Sequence, residues 1–228
     1  MKQYIVIGLG NFGLSLAQQL EENGCEVLGI DMSRELVEHA KDFLSHAVIG
    51  DATNKELLSS LSLKDFDGSV ISIGQDMAPS TLIALYLKEA GAQNIIVRAV
   101  SRDHGKILEK IGVTEVLYPE NEMAVKLANR LSMKNALDYL PLSDEHGILE
   151  VIPPKSFIGK DLKELQISVR FKCQVIAIKH MNHRAGAESA TGDFSLKIPP
   201  SADDIITSDT IMIIIGKVKD IERIQLLT

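Results

Sequence analysis

Short apolar runs alternate with longer segments of helical periodicity through the first half of the chain. Residues 4–7 are continuously apolar and end at a glycine, and the next segment repeats apolar residues at helical spacing. This alternation continues to about residue 118, and the predicted strands are residues 4–7, 26–31, 47–49, 70–73, 95–99 and 115–118. Apolar strands separated by helices are typical of a parallel sheet covered on both faces. The pattern therefore predicts an α/β fold with a Rossmann-like, doubly wound parallel sheet.

A longer helical pattern follows the sixth predicted strand. Pro119 suits the first turn of a helix, and Glu120 and Glu122 place carboxylates at the positive end of its dipole. The apolar stripe of this helix consists of Ala124, Leu127, Ala128 and Leu131. The pattern weakens near Leu137, and Pro141 ends it. No seventh strand of the same kind follows to pack beneath the stripe, so we expect it to be buried against another subunit.

The composition becomes richer in β-type patterns after residue 142. Strands are predicted at residues 148–152, 175–179 and 210–215, whereas residues 181–197 are small and polar and suggest an exposed loop. The expected organisation is a Rossmann-like domain at 1–118, a crossover helix and linker at 119–140, and a small α+β domain at 141–228.

The strongest local motif is the glycine loop Gly8-Leu9-Gly10-Asn11-Phe12-Gly13. It lies between a predicted strand and a predicted helix, which is the context in which G-x-G-x-x-G indicates phosphate binding. We expect Gly8 to permit a tight turn, Gly10 to let backbone N–H groups approach a phosphate, and Gly13 to let the helix pack close to the sheet. The alternative is a tight strand-to-helix turn without a ligand.

Acidic residues end the next two predicted strands. Asp31, followed by Met32, ends the second strand, where a carboxylate can accept hydrogen bonds from ribose hydroxyls and would repel a 2′-phosphate. Gly50-Asp51-Ala52-Thr53 follows the third strand, and Asp51 can accept from an adenine amino group. The alternative is that Asp51 or Thr53 caps the next helix.

Further candidate residues end the fourth and fifth strands. Ser72, Ile73 and Gly74 end the fourth strand and Arg98 ends the fifth, all at the edge where ligands of doubly wound sheets bind. Arg98 is expected either to meet a phosphate or to pair with a neighbouring carboxylate.

Composition narrows the possible partners and the location. The formal net charge is −7, aromatic residues make up 4% of the chain and Trp is absent, so nucleic-acid binding is not expected. The two cysteines, Cys25 and Cys173, are too far apart in sequence to suggest a disulfide framework. No long apolar run and no signal peptide are visible, which predicts a cytoplasmic location.

A NAD-dependent oxidoreductase is the main alternative in another functional class, since the fold does not determine the function. However, the chain contains no Tyr-x-x-x-Lys pair, and the C-terminal segment is short for a substrate domain. His104 is a candidate general base, although a solvated histidine at a helix start is the simpler interpretation. We therefore expect a regulatory protein and not an enzyme.

At these motifs the chain resembles the KTN/RCK family of regulators of potassium conductance, especially the Ktr-type and Trk-type cytosolic subunits of bacterial potassium uptake. The resemblance rests on the glycine loop, Asp31, residues 50–53, Pro119-Glu120 and residues 169–179, which are similar to an RCK-C subdomain. It covers nearly the whole chain. A regulator of a cation/proton antiporter or of another channel with the same fold would look alike.

The resemblance implies an RCK-N domain, a dimerisation helix and an RCK-C regulatory domain in the three predicted segments. It implies dimers that form an octameric ring beneath a membrane-embedded potassium channel or transporter. NAD(H) or ATP/ADP in the N-terminal cleft would change the shape of the ring and so control ion flux. Glu120 would help to hold a divalent cation near the phosphates, or would only stabilise its helix.

Two regions bear on the ligands that the resemblance implies. Many Ktr-type loops carry arginine where this chain has Asn11, so the choice between NAD(H), ATP and ADP stays open. Some relatives bind cyclic di-AMP between paired RCK-C subdomains, and residues 170–178 with Pro199 form the candidate region here.

Overall fold

A computed structural model describes residues 1–74, 76–132, 136–181 and 194–227. The chain divides into two compact units, Met1–Asn121 and Glu122–Thr228. Helix α6 (Pro119–Ser132) begins in the first unit and continues into the second. Within the described ranges, no helix combines the length and hydropathy that crossing a membrane requires.

The first unit contains a six-stranded parallel sheet with the order β3-β2-β1-β4-β5-β6. Its strands are β1 (Gln3–Ile7), β2 (Glu26–Asp31), β3 (His46–Ile49), β4 (Gly68–Ile71), β5 (Ile95–Arg98) and β6 (Glu115–Leu117). Its helices are α1 (Asn11–Glu22), α2 (Arg34–Ala40), α3 (Lys55–Ser60), α4 (Met77–Glu89) and α5 (Arg102–Ile111), with a 3₁₀ turn at Leu63–Asp65. This order is that of a doubly wound Rossmann sheet, so the predicted fold class is confirmed.

Burial on both faces explains why consecutive residues of the central strand β1 are apolar. Ile5 and Ile7 of β1 pack in one core with Ile83 of α4, whereas Val6 between them packs in a second core with Ala17 of α1. Successive side chains of a strand point to opposite faces, so a strand covered by helices on both sides needs apolar residues at consecutive buried positions.

The second unit contains a five-stranded antiparallel sheet with the order β10-β9-β11-β8-β7. Its strands are β7 (Ala136–Pro141), β8 (His146–Val151), β9 (Gln174–Met181), β10 (Phe194–Lys197) and β11 (Thr210–Lys217). Its short helices are α7 (Leu162–Leu165), α8 (Ile167–Phe171) and α9 (Val218–Gln225), with a 3₁₀ turn at Lys155–Phe157. One core joins the sheet residues Leu149 and Ile214 to Phe171 of α8 and Ile221 of α9.

Two expectations for the second half need correction. Helix α6 ends at Ser132 and not near Leu137, because Ala136–Pro141 pairs with β8 as an edge strand of the second sheet. Phe194–Lys197, predicted within an exposed loop, is exposed but forms strand β10 against β9. Residues 182–193 of that loop lie outside the described residues, and helix α9 was not predicted.

His104 is buried, so the expectation of a solvated histidine is wrong. Its Nδ1 accepts a hydrogen bond from the backbone N–H of Val100 at 3.2 Å, and its Nε2 lies 3.2 Å from the hydroxyl of Ser80. Because Nδ1 accepts, the proton of the neutral imidazole must be on Nε2. Nε2 therefore donates its hydrogen bond to the Ser80 hydroxyl. The ring thus joins α5 to α4.

We predict that His104 makes the protein less stable in acid. Burial holds its pKa below the ordinary value, so the unfolded chain binds a proton that the folded chain does not. The free energy of unfolding should fall, by up to about 1.4 kcal/mol per pH unit, as the pH drops below about 6.5. Urea unfolding of the wild type and His104→Gln at a series of pH values measures the difference.

The control for this prediction is His39→Gln, because His39 is exposed in the folded protein. This variant should keep the steep acid loss of the wild type. Equal pH dependence of the wild type and His104→Gln would contradict the assignment.

Candidate functional site

Two cavities lie along the carboxyl ends of the parallel strands, where β1 and β4 run side by side although they are not consecutive in the chain. The Asp51 cavity, of about 380 Å³, is lined by the predicted residues Gly8, Asp31, Met32, Asp51, Ala52, Thr53 and Ile73. The Arg98 cavity, of about 490 Å³, is lined by the predicted residues Gly8, Gly10, Asn11, Phe12, Asp31, Ile73, Gly74, Arg98 and Glu120. Crevices at such a switch point are the usual ligand sites of doubly wound sheets.

Gly13 is the one predicted site residue that lines neither cavity. It contributes to the site by allowing α1 to pack closely against the glycine loop. A Cβ added to it would lie 1.9 Å from the carbonyl oxygen of Gly8 and 2.3 Å from the hydroxyl of Ser72. The Ser72 hydroxyl donates to the same Gly8 carbonyl at 2.6 Å. The start of α1 can therefore approach β1 and β4 this closely only without a side chain at position 13.

Gly8 and Gly10 have different roles in this loop. Gly8 has a φ of +94°, in the region that favours glycine. Gly10, directly before α1, has a φ of −67°, and a Cβ there would meet no atom within 4 Å. The space beside Gly10 thus leaves the first N–H groups of α1 open to an anion.

Asp31 is oriented by backbone groups from two turns. Its Oδ2 accepts from the N–H of Leu9 at 2.7 Å, and its Oδ1 accepts from the N–H of Ser33 at 2.8 Å. Each carboxylate oxygen can accept more than one hydrogen bond, so both oxygens retain capacity for a ligand. The carboxylate lines both cavities.

Asp51 does not cap the following helix. Its Oδ1 accepts from the N–H of Thr53 at 2.9 Å and from the Thr53 hydroxyl at 2.6 Å, and these hydrogen bonds lower the pKa of Asp51. The N-cap of α3 is Asn54, whose side chain accepts from Glu56 N–H. The capping alternative for Asp51 and Thr53 is therefore wrong, and Asp51 is an exposed residue that lines its cavity.

Arg98 pairs with a carboxylate, as one of its two predicted alternatives requires. Its guanidinium donates to Glu120, the second residue of α6, and lies 5.9 Å from the ring centroid of Phe12. The pKa of Glu120 is lowered first by the backbone N–H of Glu120 itself and then by the hydrogen bond and positive charge of Arg98. In the described part of the chain, no group of three or more His, Cys, Asp or Glu side chains could hold a metal ion, and the cation role of Glu120 stays a prediction.

Sequence reasoning missed the contribution of helix α4 to the site. Pro79 and Ile83 of α4 line the Asp51 cavity, as does Ile30 of β2. Their apolar character signals only burial, and the order of the strands brings α4 over this edge. Ser72, noted only as a strand-end residue, supports the loop through Gly8.

Comparisons with known proteins agree with this geometry. Residues 4–119 match the TrkA-N domain model. Over 98% of its length, the chain is 38% identical to Ktr system potassium uptake protein A of Bacillus subtilis, and the match covers 96% of that protein.

Two solved structures are similar in fold. The GsuK channel bound to NAD matches 98% of the chain with a TM-score of 0.64 and 16% identity, and the match covers 39% of that channel. The NAD(P)-binding domain of an exopolyphosphatase-related protein from Archaeoglobus fulgidus matches 57% of the chain and 98% of that domain, with a TM-score of 0.52 and 27% identity.

The fold and the site together define a Rossmann-type protein with a glycine loop and strand-end acids arranged as in nucleotide-binding domains. The chain belongs to the TrkA-N domain family, with full-length relatives among the Ktr system potassium uptake proteins. The resemblance to the KTN/RCK family is thereby confirmed.

We predict that Gly13→Ala destabilises the protein while Gly10→Ala does not. The added methyl group at position 13 overlaps the Gly8 carbonyl, and overpacking of this kind costs about 1–3 kcal/mol of the free energy of unfolding. At position 10 the change should stay within about 1 kcal/mol. Urea unfolding followed by circular dichroism measures both variants, and equal losses would show that the glycine loop is not packed as described.

Proposed function

We propose that this protein is a nucleotide-binding regulatory subunit of a potassium-uptake system. The observation that carries the proposal is the match to a Ktr system potassium uptake protein at 38% identity over nearly the full length of both chains. A membrane-embedded potassium channel or transporter is the proposed partner, bound at the cytoplasmic face of the membrane.

The proposed ligand contains an ADP moiety, which NAD(H), ADP and ATP share. The adenine would lie in the Asp51 cavity, whose lining includes the apolar Ile73, Pro79 and Ile83, and would donate its amino group to Asp51. The ribose would donate to Asp31, and the phosphates would lie beside Gly10 at the start of α1. The NAD-bound GsuK channel and the NAD(P)-binding domain share the fold and support this choice. The negative charge of Asp31 favours NAD over its 2′-phosphorylated form.

The site is suited to reversible binding without turnover. His104, the candidate general base, is buried and lines neither cavity. A ligand that binds two conformations with different affinity shifts their populations, and this difference is what can act on a partner. We therefore infer regulation by binding and not oxidoreductase chemistry.

The exposed surface of helix α6 supports a proposal about assembly. None of its residues whose exposure is described is buried, although Met123, Val125, Leu127 and Leu131 are large and apolar. Apolar side chains concentrated on an exposed helix indicate an interaction surface. We propose that two copies pair through α6 and that these dimers form the octameric ring that the family resemblance implies.

A cavity in the second unit favours cyclic di-AMP as a second ligand. It measures about 570 Å³ and is lined by Ile167, Val169, Gln174, Val175, Ile176 and Pro199 among others, which include part of the region predicted for that ligand. Arg170 is not part of the lining, because its guanidinium lies over the Phe171 ring and donates to the Leu165 carbonyl. The cavity is open, and we propose that a second copy completes it.

We predict that Asp31→Asn weakens ADP and NAD binding. The variant removes the charge that accepts the ribose hydroxyls, and loss of a hydrogen bond to a charged group should cost about tenfold or more in affinity. Isothermal titration calorimetry measures the affinity, with thermal unfolding recorded in parallel. Asp42→Asn, a substitution of an exposed aspartate away from the site, is the matched control. If Asp31→Asn binds both ligands as tightly as the wild type, the site assignment is wrong.

Native mass spectrometry should separate the two proposed surfaces. Leu131→Asp places a charge on α6 and should yield monomers, whereas Val169→Asp, at the second-unit cavity, should keep the wild-type assembly. Both native side chains are more than 70% exposed, so neither change should unfold the chain. When cyclic di-AMP is added, the wild-type assembly should bind one molecule for every two subunits, and Val169→Asp should not bind it. A monomeric wild type would contradict the α6 dimer, and retention of the ligand by Val169→Asp would contradict the cavity assignment.

A further inference from the structure

The ion pair between Arg98 and Glu120 lies within the proposed phosphate site. Both side chains line the Arg98 cavity, together with Gly10, Asn11 and Asp31. Arg98 is the only Lys or Arg among the residues that line this cavity. The one cationic side chain available to a phosphate there is therefore already engaged by a carboxylate from the start of α6.

The two members of this pair differ in how firmly they are held. The Arg98 side chain is 21% exposed, and its guanidinium lies beside the Phe12 ring and Gly74, where an added Cβ would come within 3.2 Å of Nη1. The Glu120 side chain is 65% exposed. Glu120 can therefore turn into water, whereas Arg98 stays in the cavity wall.

The charged side chains that line the Arg98 cavity determine how a phosphate can bind there. Asp31 and Glu120 contribute two carboxylates, against the single guanidinium of Arg98. A phosphate that approaches Arg98 meets repulsion from Glu120 and needs the same N–H donors. A ligand without phosphate, such as adenosine, would occupy the Asp51 cavity and meet neither effect.

We propose that Glu120 competes with the ligand phosphates for Arg98 and thereby lowers the affinity of the site for phosphate-bearing ligands. This inference rests on the proposed nucleotide-binding function and adds a residue that sets ligand preference. The proposal predicts that removing the Glu120 carboxylate raises the affinity for the ligand, because a competitor is lost. If Glu120 instead held a cation on the phosphates, its removal would lower the affinity. Since Glu120 lies in the first turn of α6, arrival of a phosphate also frees the start of that helix from Arg98.

The test is calorimetric titration of ADP and adenosine into the full chain, with EDTA present and again with magnesium chloride. An exposed ion pair contributes little, so Glu120→Gln should bind ADP about two- to fivefold more tightly than the wild type in EDTA. Adenosine affinity should not change. The gain for ADP should shrink as salt is added, because the charges are partly exposed.

Two further variants control the interpretation. Glu122→Gln removes an exposed carboxylate from the same helical turn and should leave ADP affinity unchanged. Arg98→Gln should weaken ADP binding, and Glu120→Gln should bring a smaller gain in that background, because only the repulsion between its carboxylate and the phosphate is then removed.

The possible outcomes separate this inference from the proposed function. Weaker or unchanged ADP binding by Glu120→Gln would overturn the competition, and weakening only with magnesium would favour the cation role instead. An equal gain for adenosine would also overturn it, because the effect would not act at the phosphates. If neither ADP nor adenosine binds the wild type, the proposed function fails and the inference fails with it.

Discussion

The close contact between Gly13 and the carbonyl of Gly8 is the constraint on which the candidate site depends. It brings the start of α1 against the ends of β1 and β4, with Ser72 donating to the same carbonyl. The first N–H groups of α1 therefore face the crevice, beside the open space at Gly10. Without this contact the glycine loop would lift from the sheet, and Asp31 would lose its Leu9 partner.

The polar groups of the site are held by different means, and this gives them different freedom. Asp31 and Asp51 are each fixed by hydrogen bonds to nearby residues of their own loops or of the glycine loop. Arg98 is fixed by packing, whereas Glu120 is exposed and belongs to a helix that continues into the second unit. In the proposed function, the adenosine part of the ligand would therefore meet well-held groups, and its phosphates would meet a group that can change its position. Regulation by such a ligand requires that it bind two states of the protein with different affinity.

The first unit was largely predictable because its local signals agree with one another. The strand-end positions of Asp31 and Asp51 and the glycine loop follow from the parallel sheet, whose carboxyl ends meet at one edge. The second unit was less predictable. Residues 136–141 continue a weak helical pattern, and only pairing with β8 makes them a strand. His104 looked solvated at a helix start, and only the packing of α5 on α4 buries it.

The sequence by itself determined the class of fold, the location of the glycine loop and the acids at the strand ends, because these depend on periodicity and on the backbone freedom of glycine. The tertiary structure alone decided that Asn54 and not Asp51 caps α3, and that Pro79 and Ile83 line the site. It also decided that Arg98 meets Glu120, 22 residues away. Partners of side chains are chosen by distance in space, and residue spacing along the chain does not carry that information.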